Sequence, residues 1–356
     1  MASKYFTGVT DGIVQKATNW NGDALPADGD TLVFDSDVNA PSGYADGTAP
    51  TLTDGLTEDG AFSITVQGAA ILSASQILDD LGNQTVVDVT VTGGSSLDYD
   101  ITEAIGGDVS VSASDMTVAA NAAITGTVDV DTGGEFTCDG TSAITGAVTV
   151  DSSSCYNANS SHTLTGGITV TGGTLTVATT VDLTSAVDLA GGTLTLVGTG
   201  EVVGAVTDSA AANTINLGTA GVITGIVDLG ACTWTGIGTF TADTTGALNL
   251  GGTAANLDVI INGAAQRMTI GAGGINCRTF TMTDGTVITD SIDVASVNTV
   301  AFVATAGTLT ESTGAAGVAL TVQRMDGGQA VQIEGTTMSD ELKITYVSNG
   351  VTPFVV

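Results

Sequence analysis

The sequence predicts an all-β protein built as a parallel β-solenoid (β-helix), with coils of about 20 residues and a capping region at each end. Three observations predict this fold class. Small residues dominate the composition, a short motif recurs every 19 to 21 residues, and apolar residues alternate with polar ones within each short run. Stacking such units lets each coil cover the apolar positions of its neighbour.

The composition favours a thin core. Of the 356 residues, 49 are Gly, whereas only 8 Phe, 5 Tyr and 2 Trp are present. Aromatic side chains supply much of the volume of a thick globular core, so their scarcity argues against one. The hydrophobic fraction of 42% is nevertheless enough to build a substantial apolar interior.

The recurring motif is a five-residue unit of the form Gly-x-Val-x-Val, in which the first Gly is sometimes replaced. Nine units begin at Val87, Gly107, Gly126, Gly146, Gly166, Ser185, Gly204, Gly225 and Gly246. Asp208 is the one position where the final apolar residue of a unit is missing. Stacking predicts two ladders of buried residues, one of Val128, Val148, Ile168 and Val187 and the other of Val130, Val150, Val170 and Leu189.

Several repeats contain two further alternating runs, so each coil is predicted to hold about three short strands. Glu135 to Cys138 and Ala143 to Thr145 are examples. Gly-Gly pairs lie between the first and second runs, where a tight corner needs a positive φ: Gly133-Gly134, Gly172-Gly173 and Gly191-Gly192. An up-and-down antiparallel sheet with 20-residue hairpins is the alternative, although such sheets usually carry more aromatics and sharper Asn-Gly or Asp-Gly turns.

The repeats divide the chain into three predicted regions. Residues 1–84 form an N-terminal cap or anchor region, residues 85–254 the solenoid repeats, and residues 255–356 a C-terminal β region of further coils or a small β domain. Caps are expected because a solenoid exposes strand edges at both ends. The segment from Ala69 to Leu81 predicts a short helix that covers the first coil.

The formal net charge is −32, from 6 Lys and Arg against 38 Asp and Glu. Between Ala17 and Gln266 no Lys or Arg occurs, and 29 of the 38 acidic residues lie there. This balance argues against nucleic acid and anionic membrane as partners. Four of the six basic residues follow in the C-terminal region, at Arg267, Arg278, Arg324 and Lys343.

No stretch approaches the roughly 18 apolar residues of a transmembrane helix. The first ten residues also lack the apolar segment of a secretory signal peptide. The sequence therefore predicts a soluble chain that is not exported by the standard route.

The sequence predicts no catalytic, cofactor-binding or metal-binding residues, although several residues were candidates. His162 is the only histidine and lies in a Ser-Ser-His turn without a readable partner, which excludes a multi-histidine zinc site. Asp188 and Asp228 lie two coils apart in the outward column of the repeat, roughly 10 Å by strand spacing. That separation is marginal for a pair of glycosidase carboxylates.

Calcium is an alternative interpretation of two acidic clusters. Asp98, Asp100 and Glu103 form one cluster, and Asp28 with Asp30 the other. Neither matches an EF-hand loop, so ordinary turn acids are expected.

Threonines and cysteines complete the candidates. Thr-x-Thr steps suggest an ice-binding face but do not recur in the same column of every coil: Thr174 and Thr176, Thr193 and Thr195. The widely spaced cysteines are expected to be free and buried, with one disulfide or a redox role as the alternative: Cys138, Cys155, Cys232 and Cys277.

Residues 19–34 read NWNGDALPADGDTLVF. This segment resembles the NW-x-G-x-x-x-P-x-x-G-D-x-V-V-F opening found ahead of β-solenoid repeats in autotransporter-like surface proteins and in tailed-phage structural proteins. The resemblance covers 16 of 356 residues. It implies structural roles in a first-coil cap for Trp20, Pro26, Gly29 and Asp30.

Of these two settings, an autotransporter needs a signal peptide and a membrane barrel that this sequence does not display, whereas a phage particle needs neither. The resemblance thus implies a non-enzymatic virion structural protein, a capsid decoration or surface spike of a tailed bacteriophage. Such a protein is made in the host cytoplasm and located on the virion surface. Its expected partners are the major capsid protein or other virion proteins and further copies of itself, such as a trimer.

Two other functions stay open at this point. One is a bacterial surface adhesin or carbohydrate-binding β-solenoid, exported without a standard signal. The other is a polysaccharide-degrading tailspike, which requires an acidic pair in a cleft.

Overall fold

The computed structural model describes residues 2–6, 14–35, 55–78, 84–119, 121–210, 213–216 and 221–223, and beyond these the backbone of the strands given below. The chain divides into two compact units, Met1–Leu175 (unit 1) and Thr176–Val356 (unit 2). Each unit is described by itself.

The strands of unit 1 are short and follow one another closely. They are β1 (Ser3–Tyr5), β2 (Thr31–Asp35), β3 (Gly60–Gln67), β4 (Ile71–Ser73), β5 (Gln84–Thr92), β6 (Ser96–Tyr99), β7 (Val109–Ser112), β8 (Asp115–Val118), β9 (Val128–Asp131), β10 (Glu135–Cys138), β11 (Ala143–Ile144), β12 (Val148–Asp151), β13 (Cys155–Ala158) and β14 (His162–Thr171). Strand β15 (Thr174–Val177) spans the boundary between the units. The described helical segments are one 3-10 turn, Ala17–Asn19, and the one-turn helix α1, Ala74–Ile77.

Unit 1 is a parallel β-solenoid, as the repeat predicts. Strands β5, β7, β9, β12 and β14 pair in parallel and in register. Their pairing aligns the inward residues of successive coils in two columns, Val109, Val128, Val148, Ile168 and Val111, Val130, Val150, Val170. Both predicted ladders are therefore confirmed within unit 1, and the antiparallel alternative is wrong.

The described repeat coils of unit 1 contain three extended segments each, which also confirms the prediction. In one coil these are β9, β10 and β11. The second segments align Leu97, Met116, Phe136 and Tyr156, and the third segments align Ile105, Ile124, Ile144 and Leu164. All eight side chains are buried, so the core is a thin layer enclosed by the three strand segments.

The first Gly of the repeat unit marks a place where neighbouring coils touch through their main chains. A Cβ atom built on Gly126, Gly146 or Gly166 would overlap main-chain atoms of the glycine one coil earlier. None of these three residues has a positive φ. Glycine is therefore required here because of the close approach of the coils and not because of its backbone conformation.

The predicted corners between first and second strands are confirmed. The first residue of each Gly pair has a positive φ, 84° at Gly133 and 75° at Gly172. In unit 2, Gly191 has a φ of 86°. The conformation that only glycine adopts without strain therefore turns the chain at these corners.

The segment from Ala69 to Leu81 was predicted to be helical, and this prediction is largely wrong. Of its described residues, 69–78, only Ala74–Ile77 form a helix, which begins after Ser73 and whose last hydrogen bond joins Leu78 N–H to the Ala74 carbonyl at 3.0 Å. Residues 79–81 lie outside the described residues. Residues Ile71–Ser73 instead form strand β4, which pairs in parallel with β6. The pairing with the next coil outweighs the local helical preference of this segment.

Unit 2 contains the remaining strands. They are β16 (Asp182–Ala190), β17 (Thr193–Leu196), β18 (Glu201–Val203), β19 (Val206–Ala210), β20 (Asn213–Asn216), β21 (Val222–Ile223), β22 (Val227–Thr235), β23 (Thr239–Ala242), β24 (Ala247–Ile261), β25 (Arg267–Ile270), β26 (Ile275–Met282), β27 (Thr286–Thr289), β28 (Ala295–Ala304), β29 (Thr308–Glu311), β30 (Ala319–Arg324), β31 (Val331–Ile333), β32 (Thr337–Met338) and β33 (Lys343–Val347).

Parallel in-register pairing also organises unit 2. One column aligns Val187, Val206, Val227 and Leu248, at the spacing of the repeat. Parallel pairing continues through β24, β26, β28, β30 and β33, where Ile275, Val297, Val322 and Tyr346 align. These residues are 22 to 25 positions apart, so the coils lengthen here and the sequence period becomes hard to follow. The region borders at residues 84 and 254 stay predictions.

In the described part of the chain, no helix is long and apolar enough to span a membrane.

Candidate functional site

The single histidine has a partner, contrary to the sequence-based expectation. His162 begins β14 and is 5% exposed. The Tyr156 hydroxyl lies 2.7 Å from His162 Nε2, and His162 Nδ1 lies 2.6 Å from the Ser160 carbonyl oxygen. A carbonyl oxygen can only accept, so Nδ1 carries the proton and donates it, while Nε2 accepts from Tyr156. We call Tyr156, His162 and the Ser160 carbonyl the buried polar triad.

Two members of the buried polar triad, Tyr156 and His162, are buried in unit 1, whereas Ser160 is half-buried in the turn between β13 and β14. The Tyr156 ring stacks on Phe136 with ring centroids 5.3 Å apart. Burial lowers the pKa of His162 below its usual value, and the hydrogen bond with Ser160 opposes this shift. Burial also raises the pKa of Tyr156 well above its usual value. Both side chains are therefore neutral at pH 7, and burial separates them from a dissolved substrate.

The acids at Asp28 and Asp30 act as hydrogen-bond acceptors for the main chain of the N-terminal region. Asp30 is 8% exposed and accepts the N–H groups of Ala2 at 3.1 Å and Ala27 at 3.0 Å. Asp28 accepts the N–H group of Ala61 at 2.9 Å. Both carboxylates therefore hold the main chain of turns, as the sequence predicts.

The second acidic cluster is arranged around the turn that follows β6. Asp100 accepts hydrogen bonds from the Ser75 N–H at 2.8 Å and from the Ser75 hydroxyl at 2.5 Å. The Tyr99 hydroxyl donates to the Glu103 carbonyl at 2.9 Å. Partial burial, followed by the charges of Asp100 and Asp139, raises the pKa of Asp98. Among the described residues, no group of three or more His, Cys, Asp and Glu side chains is arranged to hold a metal ion.

A third group of acids lies on the first strands of two successive coils. Asp129 and Asp131 lie on β9, and Asp151 ends β12 of the next coil. Partial burial, followed by the charges of Asp131 and Asp151, raises the pKa of Asp129. Sequence reasoning identified Asp129 in its outward column but missed its neighbours, although their alternation with Val130 and Val150 carried the signal.

The candidate glycosidase pair lies in one column of unit 2. Asp188 pairs with Thr207, which pairs with Asp228, so the two acids are two coils apart. Strand spacing then separates their Cα atoms by about 10 Å. Asp188 Oδ2 accepts a hydrogen bond from the Ser209 hydroxyl at 2.8 Å. The Asp228 side chain lies outside the described residues.

The threonine steps do not extend along a full column. In unit 2, Thr193 pairs with Thr214, but Thr195 pairs with Asn216. In unit 1, the outward residues of the corresponding strands are of mixed types: Ser96, Asp115, Glu135 and Cys155. A regular threonine surface is therefore absent from these described strands of unit 1.

The two described cysteines are both free, as expected. Cys138 is buried, which raises the pKa of its thiol to about 12. Cys155 is only partly buried and does not match the expectation of a buried side chain, because it precedes the inward Tyr156 and so lies on the outward face of β13. Cys232 and Cys277 have side chains outside the described residues.

The residues that carry the sequence resemblance occupy structural positions in the N-terminal region. Trp20 is buried and packs against Phe6 and Phe34, with ring centroids 5.3 and 5.8 Å away. Its Nε1 donates to the Val14 carbonyl at 2.8 Å. Pro26 is buried, and Gly29 has a φ of 82° in the turn before Asp30.

Comparison with protein-family models, with curated proteins and with solved structures finds no match to this chain. Functional reasoning therefore depends on the arrangement of the residues themselves and on the resemblance of residues 19–34.

Proposed function

We propose that the protein is a non-enzymatic structural protein on the virion surface of a tailed bacteriophage, either a capsid decoration or a surface spike. The proposed partner is the major capsid protein or another virion protein. The resemblance of residues 19–34 supports this assignment. The absence of Lys and Arg between Ala17 and Gln266 disfavours nucleic acid and anionic lipid as alternative partners.

The observation that carries the proposal is the use of outward polar side chains to join neighbouring coils. Thr141 donates its N–H and its hydroxyl to Asn121 Oδ1, each at 2.9 Å. Asn157 donates to Glu135 Oε1 at 2.7 Å. These residues are 20 and 22 positions apart and so belong to successive coils. Polar groups that are engaged in this way favour a scaffold role over catalysis.

The buried aromatic cluster of the N-terminal region supports the same role. Trp20, Phe6 and Phe34 give this region a compact core beside strands β1 and β2, which pair in parallel. A solenoid displayed at high local concentration needs covered strand edges to avoid edge-to-edge association. In the proposed role, this aromatic cluster belongs to a cap that keeps neighbouring copies on one particle from associating through their strand edges.

The test is mass spectrometry of gradient-banded particles from the source culture, with the copy number compared with that of the most abundant structural protein. Hundreds of copies per particle support capsid decoration, and a handful of copies supports a spike. Absence of the protein from particles that contain the other structural proteins would refute the proposal and favour the adhesin.

The tailspike alternative predicts that the purified protein cleaves host polysaccharide. We expect no release of reducing sugars or unsaturated oligosaccharides from host glycan. Activity that is lost in Asp188→Ala would overturn the non-enzymatic proposal and would assign that carboxylate to catalysis. Activity that persists in Asp188→Ala would also overturn it, but would exclude the candidate pair.

A further inference from the structure

The buried polar triad joins two parts of one coil through the only side chain of the protein that ordinarily titrates between pH 5 and 8. His162 is the single histidine of the chain. It begins β14, whereas Tyr156 belongs to β13, and the turn between these strands contains Ser160. The two hydrogen bonds of the imidazole, 2.7 and 2.6 Å long, therefore hold this turn against the core.

The surroundings of the imidazole contain neutral groups and no compensating carboxylate contact. On β13 the facing group is the Tyr156 hydroxyl. The buried Cys138 thiol of β10 lies near that hydroxyl and contributes to the raised pKa of Tyr156. Strand β11, Ala143–Ile144, has no titratable side chain. The causes of the pKa shift of His162 are burial and the hydrogen bond with Ser160, and no acid contributes.

One acid of the preceding coil contacts this turn, and another follows the turn in the sequence. Asp139 follows β10, and its carboxylate accepts a hydrogen bond from Asn159 Nδ2 at 2.8 Å. Asp182, the nearest acid of unit 2 in the sequence, is exposed. Lys and Arg are absent from Ala17 to Gln266, so no basic side chain of this stretch of sequence offsets the charge of these acids.

We propose that His162 is a pH-sensitive switch whose protonation opens the coil segment formed by residues 155–171. Protonation places a hydrogen on Nε2, the atom that accepts the Tyr156 hydroxyl in the neutral state. The Tyr156 hydroxyl must then rotate its own proton away, and the imidazolium charge stays buried in the core. The displaced hydroxyl proton and the buried charge both cost free energy in the closed segment. Opening the segment lets water hydrogen-bond to the hydroxyl and solvate the imidazolium, which removes both costs.

The direction of the pH effect follows from the depressed pKa of His162 in the folded coil. The opened segment has the ordinary histidine pKa of about 6.5 and binds a proton more readily than the closed segment. The closed form is therefore fully stable above pH 6.5 and loses stability as the pH falls below that value. The open population therefore rises as the pH falls from 7.5 to 5.5, by at most about ten-fold.

The first experiment is NMR of the untagged full chain with ¹³C- and ¹⁵N-labelled histidine, which gives the signals of one imidazole. We expect the neutral Nδ1–H tautomer at pH 7 and a folded-state pKa below 6.5. A ring that titrates near 6.5 in the folded protein, or that carries its proton on Nε2, would overturn the proposal. This measurement needs no variant and is independent of the proposed function.

The second experiment is hydrogen exchange with mass spectrometry at pH 7.5 and 5.5, corrected for the intrinsic pH dependence of exchange. We expect the opening equilibrium of peptides within residues 155–171 to rise at pH 5.5, by up to about ten-fold, while peptides within residues 97–118 keep their protection. His162→Gln retains a donor and an acceptor but stays neutral, so its opening should not depend on pH. An equal pH response in His162→Gln, or none in the wild type, would refute the switch.

Discussion

The first glycines of the repeat units in unit 1, Gly126, Gly146 and Gly166, stack on one another, and we call them the glycine ladder. They allow a sharp test, because a methyl group added within the ladder and one added just before it should have opposite effects on stability. In Gly146→Ala, the new Cβ would overlap the Gly126 carbonyl and lie 2.8 Å from the Thr127 main-chain nitrogen. These atoms belong to the main chain and cannot move aside as a flexible side chain can. In Gly106→Ala, the nearest atom within 4 Å is the Val86 carbonyl oxygen at 3.6 Å, an ordinary contact.

Neither glycine has a positive φ, so alanine is compatible with the backbone at both positions. Replacement of Gly by Ala stabilises the folded state by about 0.4 to 1 kcal/mol through the entropy of the unfolded chain. Overpacking costs about 1 to 3 kcal/mol. We therefore expect Gly106→Ala to be neutral or slightly stabilising and Gly146→Ala to lower the free energy of unfolding by about 1 to 2 kcal/mol.

The assay is thermal unfolding followed by far-ultraviolet circular dichroism. A loss of about 1 to 2 kcal/mol lowers Tm by about 2 to 6 °C in a unit of this size. Gly106→Ala controls for the general effect of the substitution on the unfolded chain. A Tm of Gly146→Ala equal to or above that of Gly106→Ala would refute the reasoning that main-chain contact at the ladder requires glycine.

Three further outcomes are expected. Deletion of residues 146–165 removes one whole coil and should leave a folded, cooperatively unfolding protein by circular dichroism, whereas global unfolding would count against modular stacking. Tyr156→Phe leaves His162 Nε2 without its donor and should lower the free energy of unfolding by about 1 to 3 kcal/mol in urea titrations at pH 7.5, and an unchanged midpoint would contradict this. Hydrogen bonds from Thr127 lower the pKa of Asp108, so its carboxylate stabilises the fold above its usual pKa and loses this effect as the pH falls through the lowered pKa. Asp108→Asn should therefore be more destabilising in thermal scans at pH 7 than at pH 2.5, and an equal effect at both values would contradict the assignment.

The sequence was sufficient to predict the inward ladders because two simple regularities act together. Alternation places Val128 and Val130 on one face of a strand, and the constant repeat interval then fixes which residues of the next coil they meet. The same argument fails where the coils lengthen to 22 to 25 residues, as between Ile275 and Val297. It also fails near Ser73, because strand pairing with the following coil competes there with a local helical preference.

The buried polar triad could not be predicted because its geometry depends on a turn. Tyr156 has the inward phase of its strand, but His162 follows it by six residues across a segment with no regular pattern. The glycine ladder was visible in the sequence, yet its cause was not. The close main-chain approach at Gly126 and Gly146 depends on the position of the next coil, which local propensity does not encode.

The main-chain contact along Gly126, Gly146 and Gly166 also has a mechanical consequence for unit 1. Coils separated by side chains can be pressed together, because rotamers shift and small voids close. At these glycines the main chain of one coil already lies against that of the next, so no compressible layer remains between them. We therefore expect the line through Gly126, Gly146 and Gly166 to be the stiffest part of unit 1 under compression. The strand faces, whose coils are separated by side chains, should deform more easily.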